Sequence, residues 1–193
     1  MTYASLTQVK AALRITDSVD DTTIQLALNS VDEMINAYCG RTFGTAGTAT
    51  TRYYAAGKAD CVEVDDLMSI GTVSWSMDGA TWTDTTDYQA EPLNGLSDGM
   101  SWPTTRLRAI NNFQWRVRDG IQTVKVAGTF GFGSVPASIT QAAVLQTARI
   151  FRRADSPLGV AGWGDIGAVQ VRPGLDVDVR QLVEPYRKLR AAL

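Results

Sequence analysis

The sequence predicts an α+β fold in which helices at both ends of the chain enclose an antiparallel β unit. Three observations support this prediction: capped helical periodicity at the N-terminus, a middle rich in Thr, Gly, Asp, Val and Trp, and a helical pattern that returns after Pro136. We expect residues 1–45 and 134–193 to form one helical bundle, and residues 46–133 to form the inserted antiparallel β unit.

Two helices are predicted at the N-terminus. The stretch Ser5-Leu6-Thr7-Gln8 fits a capping box, which predicts a short helix that ends near Ile15. Asp20 and Asp21 are suited to cap a second, longer helix, and Gly40 is suited to end it. The apolar stripe of this second helix comprises Ile24, Ala27, Leu28, Val31, Met34 or Ile35, and Tyr38.

A first hairpin is predicted around Asp78-Gly79. Residues 73–77 alternate between apolar and polar side chains, and Asp-Gly favours a two-residue type I′ turn. In that register Trp75 lies directly opposite Trp82, and a cross-strand aromatic pair of this kind stabilises a sheet by roughly 0.5–1 kcal/mol.

A second hairpin is predicted around Asp119-Gly120. Residues 113–118 alternate in the same way, and the turn places Trp115 opposite Val124 and Phe113 opposite Val126. Shorter strands are predicted over Arg52–Ala55, Cys61–Val64, Tyr88–Ala90 and Arg106–Ala109.

The C-terminal part returns to a helical pattern. Glycines 131 and 133 end the last strand, and Pro136 begins a helix that continues through Arg153. Residues 156–173 are rich in glycine and lack periodicity, which predicts a long loop. Asp178 opens a final helical stretch, and Pro185 should kink or split it.

Composition excludes several classes of function. The 193 residues hold 18 basic and 20 acidic side chains, a balance that does not suit a protein that grips nucleic acid through its phosphates. The absence of histidine excludes Ser-His-Asp and Cys-His catalysis and histidine zinc sites. Cys39 and Cys61 are far apart and are expected to be buried thiols of a protein made in a reducing cytoplasm. No apolar run reaches the ~18 residues of a membrane span.

No catalytic motif, metal site or cofactor site is predicted. The densest acidic cluster comprises Asp60, Glu63, Asp65 and Asp66. It lacks the twelve-residue pattern of a calcium loop, so a solvated strand end is expected. The glycines between residues 128 and 133 match neither a dinucleotide fingerprint nor a phosphate loop. We therefore expect no enzymatic activity and no cofactor.

The arginine stripe is the clearest charged pattern, and it comprises Gln146, Arg149, Arg152 and Arg153. Their spacing puts them on one helical face. This face is either solvated, or a subunit interface, or a weak contact with a passing polyanion. Residues 1–40 carry two basic and five acidic groups, whereas residues 136–193 carry eight and five. These opposite charges pair either within one bundle or between neighbours in a head-to-tail ring.

The order of segments along the chain carries a family resemblance. The segments are YASLTQVKAALRI, INAYCGRTF, TRYY, VEVDDLMSIGTV, DYQAEPLN, TVKVAGTFGFGSVPASITQAA, RRADSPLG and DVRQLVEPYRKL. In this order they resemble the head–tail connector family of long-tailed bacteriophages, also described as head-completion adaptors or DNA-packaging connectors.

The resemblance implies a virion structural protein of the neck, made in the cytoplasm of a bacterial host. Members form a ring, commonly twelvefold, beneath the capsid portal, connect head to tail, and continue the channel used in DNA packaging and ejection. The implied partners are the portal protein, a downstream stopper protein, further copies of the chain, and double-stranded DNA that passes without sequence-specific binding. No membrane partner is implied.

The resemblance also implies site residues. The segment DVRQLVEPYRKL matches the portal contact, with apolar anchors and rim charges at Leu182, Val183, Tyr186, Arg187, Leu189 and Arg190. The arginine stripe then belongs to a subunit interface or to the channel face. Deletion of residues 178–193 is expected to leave a folded protein that no longer joins capsids.

Two alternatives remain open from the sequence. The first is another neck or tail-completion protein that binds the tail terminator. The second is a small hydrolase or carbohydrate-binding module that uses Trp75, Trp82 and Trp115. A solvent-exposed row of these three tryptophans would favour the second alternative.

Overall fold

The computed structural model describes residues 2–44, 47–154, 160–161, 169–170 and 174–188. The fold is α+β, and the chain divides into two compact units. Residues 1–43 and 135–193 form the helical unit, and residues 44–134 form the β unit. Within the described ranges, no helix combines the length and the apolar character that crossing a membrane requires.

The β unit contains one six-stranded sheet and one small hairpin. The strands are β1 (Thr50–Tyr54), β2 (Cys61–Trp75), β3 (Thr83–Asp84), β4 (Tyr88–Glu91), β5 (Leu96–Ser97), β6 (Met100–Ser101), β7 (Thr104–Ala109) and β8 (Val124–Phe130). The sheet order is β1-β8-β2-β7-β4 with β3 also on β2, every pair is antiparallel, and β5 pairs with β6 apart from the sheet. The predicted short strands are therefore present, and the one over Cys61–Val64 belongs to the long strand β2.

The long strand β2 bends at bulges. It pairs with β7 along its first half and with β8 along its second half, and its register shifts between Glu63 and Leu67 and twice more before Thr72. Gly128 of β8 lies where the strands approach closely, because a Cβ at this position would stand 2.3 Å from the carbonyl oxygen of Ser69. Only glycine fits there without a shift of the backbone.

The first predicted hairpin is wrong in its register. Trp75 pairs with Thr83 rather than with Trp82, and residues 76–82 form a longer loop. The Asp78 Oδ1 atom accepts the backbone N–H groups of Ala80 and Thr81 at 2.9 and 2.8 Å. Such local side-chain bonds compete with a two-residue turn, so Asp78-Gly79 is only part of the loop.

The second predicted hairpin is also wrong. Residues 113–118 form no strand, because both edges of β8 are already taken: Val124 pairs with Tyr54 on β1 and with Trp75 on β2. Trp115 is nevertheless buried, and its indole N–H donates to the carbonyl of Leu107 at 3.2 Å. The predicted alternation therefore agrees with the burial of Trp115 and the half-burial of Phe113, but not with Val117, which is 53% exposed.

The core of the β unit lies on one side of this sheet. It is formed by Ala56, Val62, Val64, Leu67, Val73, Leu107, Trp115, Val124, Val126 and Phe130. In β8 the burial alternates strictly from Val124 to Phe130, as the sequence predicts for a half-buried strand.

The helical unit contains α1 (Leu6–Leu13), α2 (Asp21–Cys39), α3 (Ala137–Ala154) and α4 (Val177–Val183). Helices α1, α2 and α4 each pack against α3, and α1 also packs against α2. A 3₁₀ turn, Glu184–Tyr186, follows α4 directly, so Pro185 splits the last helical stretch as predicted.

The long loop predicted over residues 156–173 lies largely outside the described residues. Within it, β9 (Val160–Ala161) pairs antiparallel with β10 (Val169–Gln170).

Local signals fix the ends of the first two helices. The capping box is confirmed: the Gln8 backbone N–H donates to the Ser5 hydroxyl at 3.2 Å, and the Ser5 N–H donates to the Gln8 side-chain oxygen at 2.7 Å. Gly40 ends α2 in the left-handed region, with φ 65°, as predicted. Asp20 occupies the N-cap position of α2, but its side chain makes no capping hydrogen bond.

The apolar stripe of α2 is confirmed by burial. The buried residues of this helix are Ile24, Ala27, Leu28, Val31, Asp32, Ile35 and Cys39. Of the two residues predicted as alternatives, Ile35 is buried and Met34 is only half-buried. Tyr38 is also only half-buried. The buried carboxyl group of Asp32 was not anticipated.

Candidate interaction surface of the helical unit

Arginines of α3 bind aspartates at the start of α4. Arg149 lies 3.1 Å from Asp176 Oδ2 and 2.7 Å from Asp178 Oδ2, and Arg153 lies 3.1 Å from Asp176 Oδ1. We call these four residues the arginine clasp. The hydrogen bond that Arg149 donates to Asp178 raises the pKa of Arg149 above its ordinary value, so the guanidinium stays charged.

Gln146 lies beneath the arginine clasp and is fully buried. Its side-chain N–H donates to the carbonyl of Gly174 at 3.4 Å, and its oxygen accepts the backbone N–H of Asp176 at 3.2 Å. This amide therefore holds residues 174–176 against α3, which is a role inside the chain.

The members of the arginine stripe thus have different environments. Gln146 is internal, Arg149 and Arg153 are paired within the chain, and Arg152 is exposed and makes no ion pair within the described part of the chain. A subunit interface or a channel face at this stripe stays a prediction, and Arg152 is the side chain best placed to serve it.

The clasp borders an open groove of about 440 Å³. The groove is lined by Arg149, Arg152, Arg153, Asp176, Val177 and Asp178. Val177 is 73% exposed, so the groove combines charge of both signs with one uncovered apolar side chain.

The described part of the segment 178–189, expected to make the portal contact, is anchored in the core of the helical unit. Val179 and Val183 are fully buried, and Tyr186 is 9% exposed. The Tyr186 ring packs edge-on against Phe43 with 5.7 Å between ring centroids.

Polar contacts hold the same segment. The Lys188 backbone N–H donates to the carbonyl of Cys39 at 2.7 Å, and the Ser138 hydroxyl donates to the Tyr186 hydroxyl oxygen at 3.1 Å. The Tyr38 hydroxyl also donates to the carboxylate of Glu184.

These contacts locate the residues assigned by resemblance to portal binding. Val183 and Tyr186 belong to the chain's own core, Leu182 is half-buried, and Arg187 is exposed beside Glu184 at 3.6 Å. Leu189 and Arg190 lie outside the described residues. Deletion from residue 178 onward removes core side chains, so the expectation that it leaves a folded protein is at odds with this packing.

A buried polar network joins the N-terminus to α2. Asp32 is 6% exposed, and both of its carboxylate oxygens accept the Tyr3 backbone N–H at 3.3 Å. The Tyr3 hydroxyl donates to Asn36 and accepts the Phe43 backbone N–H at 3.0 Å. Burial raises the pKa of Asp32 to about 6.

The sequence contained a signal for this network. Asp32 lies four residues after Leu28 and three before Ile35, which puts a carboxyl group on the predicted apolar face of the helix.

In the β unit, three of the four residues of the acidic cluster face arginines, whereas the fourth, Asp66, is 7% exposed rather than solvated as expected. Asp65 lies 2.6 Å from Arg52, Glu63 lies 3.6 Å from Arg106, and Asp60 lies 3.7 Å from Arg108, and these carboxylates are exposed. Of the residues that the structure describes, no group of three or more His, Cys, Asp or Glu side chains is arranged to hold a metal ion.

The three tryptophans proposed for a carbohydrate-binding module do not form an exposed row. Trp115 is 1% exposed, whereas Trp75 and Trp82 are half-buried. Trp75 contacts Phe113 with 6.1 Å between ring centroids, and Trp82 contacts Tyr53 at 5.5 Å. The feature that would favour this module is therefore absent.

The two cysteines are free thiols. Cys39 is buried, as expected, and burial raises its pKa to about 11, whereas Cys61 is only half-buried. A thiol whose pKa lies so far above neutrality is a poor nucleophile.

Comparison with protein families supports the resemblance seen in the sequence. Residues 3–66 match the family described as phage gp6-like head-tail connector protein. The match covers roughly a third of the 193 residues, including α1, α2 and the first strand, and it confirms the likeness to connectors over that stretch. A comparison with curated protein sequences found no match.

Solved structures share the fold along nearly the whole chain. One is a chain from the neck of an empty GTA particle computed with C6 symmetry, with TM-score 0.58, 17% identity, and coverage of 98% of this chain and 92% of that chain. Another comes from the virion of a native gene transfer agent (GTA) particle, with TM-score 0.55, 17% identity and the same coverage. At this identity the likeness establishes the fold.

Proposed function

We propose that the protein is a structural component of the neck of a phage or phage-like particle, located where the head joins the tail. The observation that carries this proposal is the match of residues 3–66 to the head–tail connector family. The fold shared with the neck chain of the GTA particle supports it, because that likeness extends through both units.

In this role the chain forms a ring beneath the capsid portal and continues the DNA channel towards the tail. The related neck was computed with sixfold symmetry, which rings of six and of twelve copies both satisfy. The family resemblance favours twelve. A head-to-tail ring needs two different complementary surfaces on each chain and no catalytic group.

The electrostatics suit a conduit through which DNA slides. The formal net charge is −2, and each additional neutralised phosphate would strengthen binding and make it more dependent on salt. Arg149 and Arg153 are already paired with Asp176 and Asp178, so they are poorly available to phosphates.

Burial reduces the set of residues in the C-terminal segment that can make the proposed portal contact. Val183 and Tyr186 are occupied by the core, so the proposed contact uses Leu182, Arg187 and the residues from 189 onward, including Leu189 and Arg190. A downstream stopper protein binds the opposite side of the ring. The role requires neither enzymatic activity nor a cofactor.

The test is attachment of purified protein to capsids that carry a portal but no tail. We expect electron micrographs to show a ring added at the portal vertex, and capsids that lack the portal serve as the control. Arg187→Glu should weaken attachment without loss of helical content, because Arg187 is exposed.

Absence of the ring from portal-containing capsids would overturn the proposal. Attachment to isolated tails instead would identify the chain as a tail-completion protein.

A further inference from the structure

The loop between α1 and α2 presents unpaired carboxylates around an exposed apolar side chain. Val19 is 85% exposed, which exceeds the exposure of every other large apolar residue that the structure describes. Its backbone N–H donates to Asp17 Oδ1 at 3.0 Å, which shapes the loop. Asp17 and Asp20 make no ion pair within the described ranges, whereas Asp21 binds Lys10 at 2.5 Å.

The groove beside the arginine clasp has the opposite character. Its three arginines and two aspartates leave one positive charge in excess, and among the described residues Arg152 is the arginine of the groove without an aspartate partner. Val177 stands next to these charges and is 73% exposed. The groove therefore matches the loop in charge and in its single uncovered apolar side chain.

The ion pairs of the helical unit bear on the two interpretations of its charge asymmetry. Lys10 pairs with Asp21 in the N-terminal part, and the clasp forms in the C-terminal part. None of the ion pairs made by Lys10, Arg149, Arg153 or Arg187 joins the acidic N-terminal part to the basic C-terminal part.

From these observations we infer that the groove along α3 and α4 receives the Asp17–Asp20 loop of a second copy of the chain. Arg152 binds the loop carboxylates, since a guanidinium suits a carboxylate in charge and geometry, and Val19 packs beside Val177. The inference rests on the proposed ring, because a head-to-tail ring places one surface of each copy against a different surface of the next.

Charge reversal on portal-containing, tail-free capsids tests this interface. Arg152→Asp and Asp20→Arg should each raise the protein concentration needed for half-occupied portals by about tenfold, because an exposed pair becomes a repulsion in every contact around the ring. Lys58→Asp in the β unit and Glu33→Arg on α2 make the same changes of charge at exposed positions that belong to neither surface, and they should leave that concentration unchanged.

Mixing the variants provides the decisive comparison. A 1:1 mixture of the Arg152→Asp and Asp20→Arg chains restores a matched pair at every contact of an alternating ring, so occupancy should return to the wild-type level. The double variant should recover in the same way. A destabilised fold could not be rescued by a partner that carries the opposite substitution.

A cross-link locates the apolar contact. Val19→Cys with Val177→Cys, in a Cys61→Ser background, should give a ladder of linked chains under oxidising conditions once rings have formed, and each cysteine alone should give none beyond dimers. This interface alone is overturned if the wild-type chain forms rings, both charge-reversed chains occupy portals at the wild-type concentration, and the double-cysteine chain gives no ladder. A wild-type chain that forms no ring would overturn the proposed function together with it.

Discussion

The ion pairs of the two units lie in different environments, although each unit buries a carboxyl group, Asp32 in the helical unit and Asp66 in the β unit. In the helical unit, the clasp closes over the buried Gln146. In the β unit, Arg106 and Arg108 lie on an exposed sheet face. Their side chains are 43% and 41% exposed, and both contact the carboxylate of Glu91. The clasp of the helical unit is therefore coupled to packing, whereas the arginine pairs on this sheet face of the β unit can be lost at little cost.

The largest expected effect removes the apolar anchors of the helical unit. Val179→Ala together with Val183→Ala should lower the free energy of unfolding by about 4 kcal/mol, because both side chains are fully buried and their removal leaves cavities. Urea denaturation measures this. Val177→Ala on the same helix is the control and should stay within about 0.5 kcal/mol. Equal effects of the two changes would mean that α4 is not anchored as described.

The next effect concerns the buried carboxyl group. The pKa of Asp32 rises from 3.8 to about 6 on folding, so the folded state holds the proton more tightly. The stability that this proton provides is fully present below pH 3.8 and is lost as the pH rises through about 6. The loss amounts to about 2–3 kcal/mol at 1.36 kcal/mol for each pKa unit.

Asp32→Asn should therefore flatten the dependence of stability on pH between pH 4 and 6. The amide still accepts the Tyr3 N–H, and it carries no charge to bury. Chemical denaturation at several pH values measures the effect, with the exposed neighbour Glu33→Gln as the control. An unchanged pH profile in Asp32→Asn would show that this carboxyl group titrates normally.

A smaller effect is expected from the clasp. Asp176→Asn should cost about 1 kcal/mol, because Asp176 contacts both Arg149 and Arg153 and is largely covered. Asp178→Asn should cost less than about 0.5 kcal/mol, since this side chain is 69% exposed and contacts Arg149 only. A reversed order in thermal melts would contradict the assigned geometry.

The smallest effect is expected on the sheet face of the β unit. Glu63→Gln removes a contact of 3.6 Å to Arg106, whose guanidinium also lies 3.7 Å from Glu91. The change should stay within about 0.5 kcal/mol and should vanish in high salt. A loss comparable to that of Asp176→Asn would remove the contrast between the two units.

The sequence predicted those features that depend on neighbouring residues. Ser5 with Gln8 began α1, Gly40 ended α2, and Pro185 split the last helix, since caps and breakers act within one turn. The second predicted hairpin was wrong, because the edges of β8 were taken by two strands distant in sequence. No pattern of neighbouring residues indicates which strands will pair with the two edges of β8.

The sequence predicted only part of the candidate site, because the other part comes from residues distant along the chain. The spacing of Arg149, Arg152 and Arg153 predicted a shared face, but Asp176 and Asp178 follow after a long stretch without periodicity. Nothing in that stretch indicates where the chain returns to α3. The ion pairs of these arginines were therefore visible only in the structure. The same holds for the burial of Val183 and Tyr186, which revised the proposed portal contact.

The hydrogen bond from the Lys188 backbone N–H to the carbonyl of Cys39 has a consequence for avidity. It ties Lys188 to the end of α2, beside Gly40, where an added Cβ would stand 3.6 Å from the Lys188 side chain. In the proposed ring, symmetry puts this point of every copy at the same radius and height. Contacts made from these points to a symmetric partner form together, so their combined affinity exceeds that of any single contact.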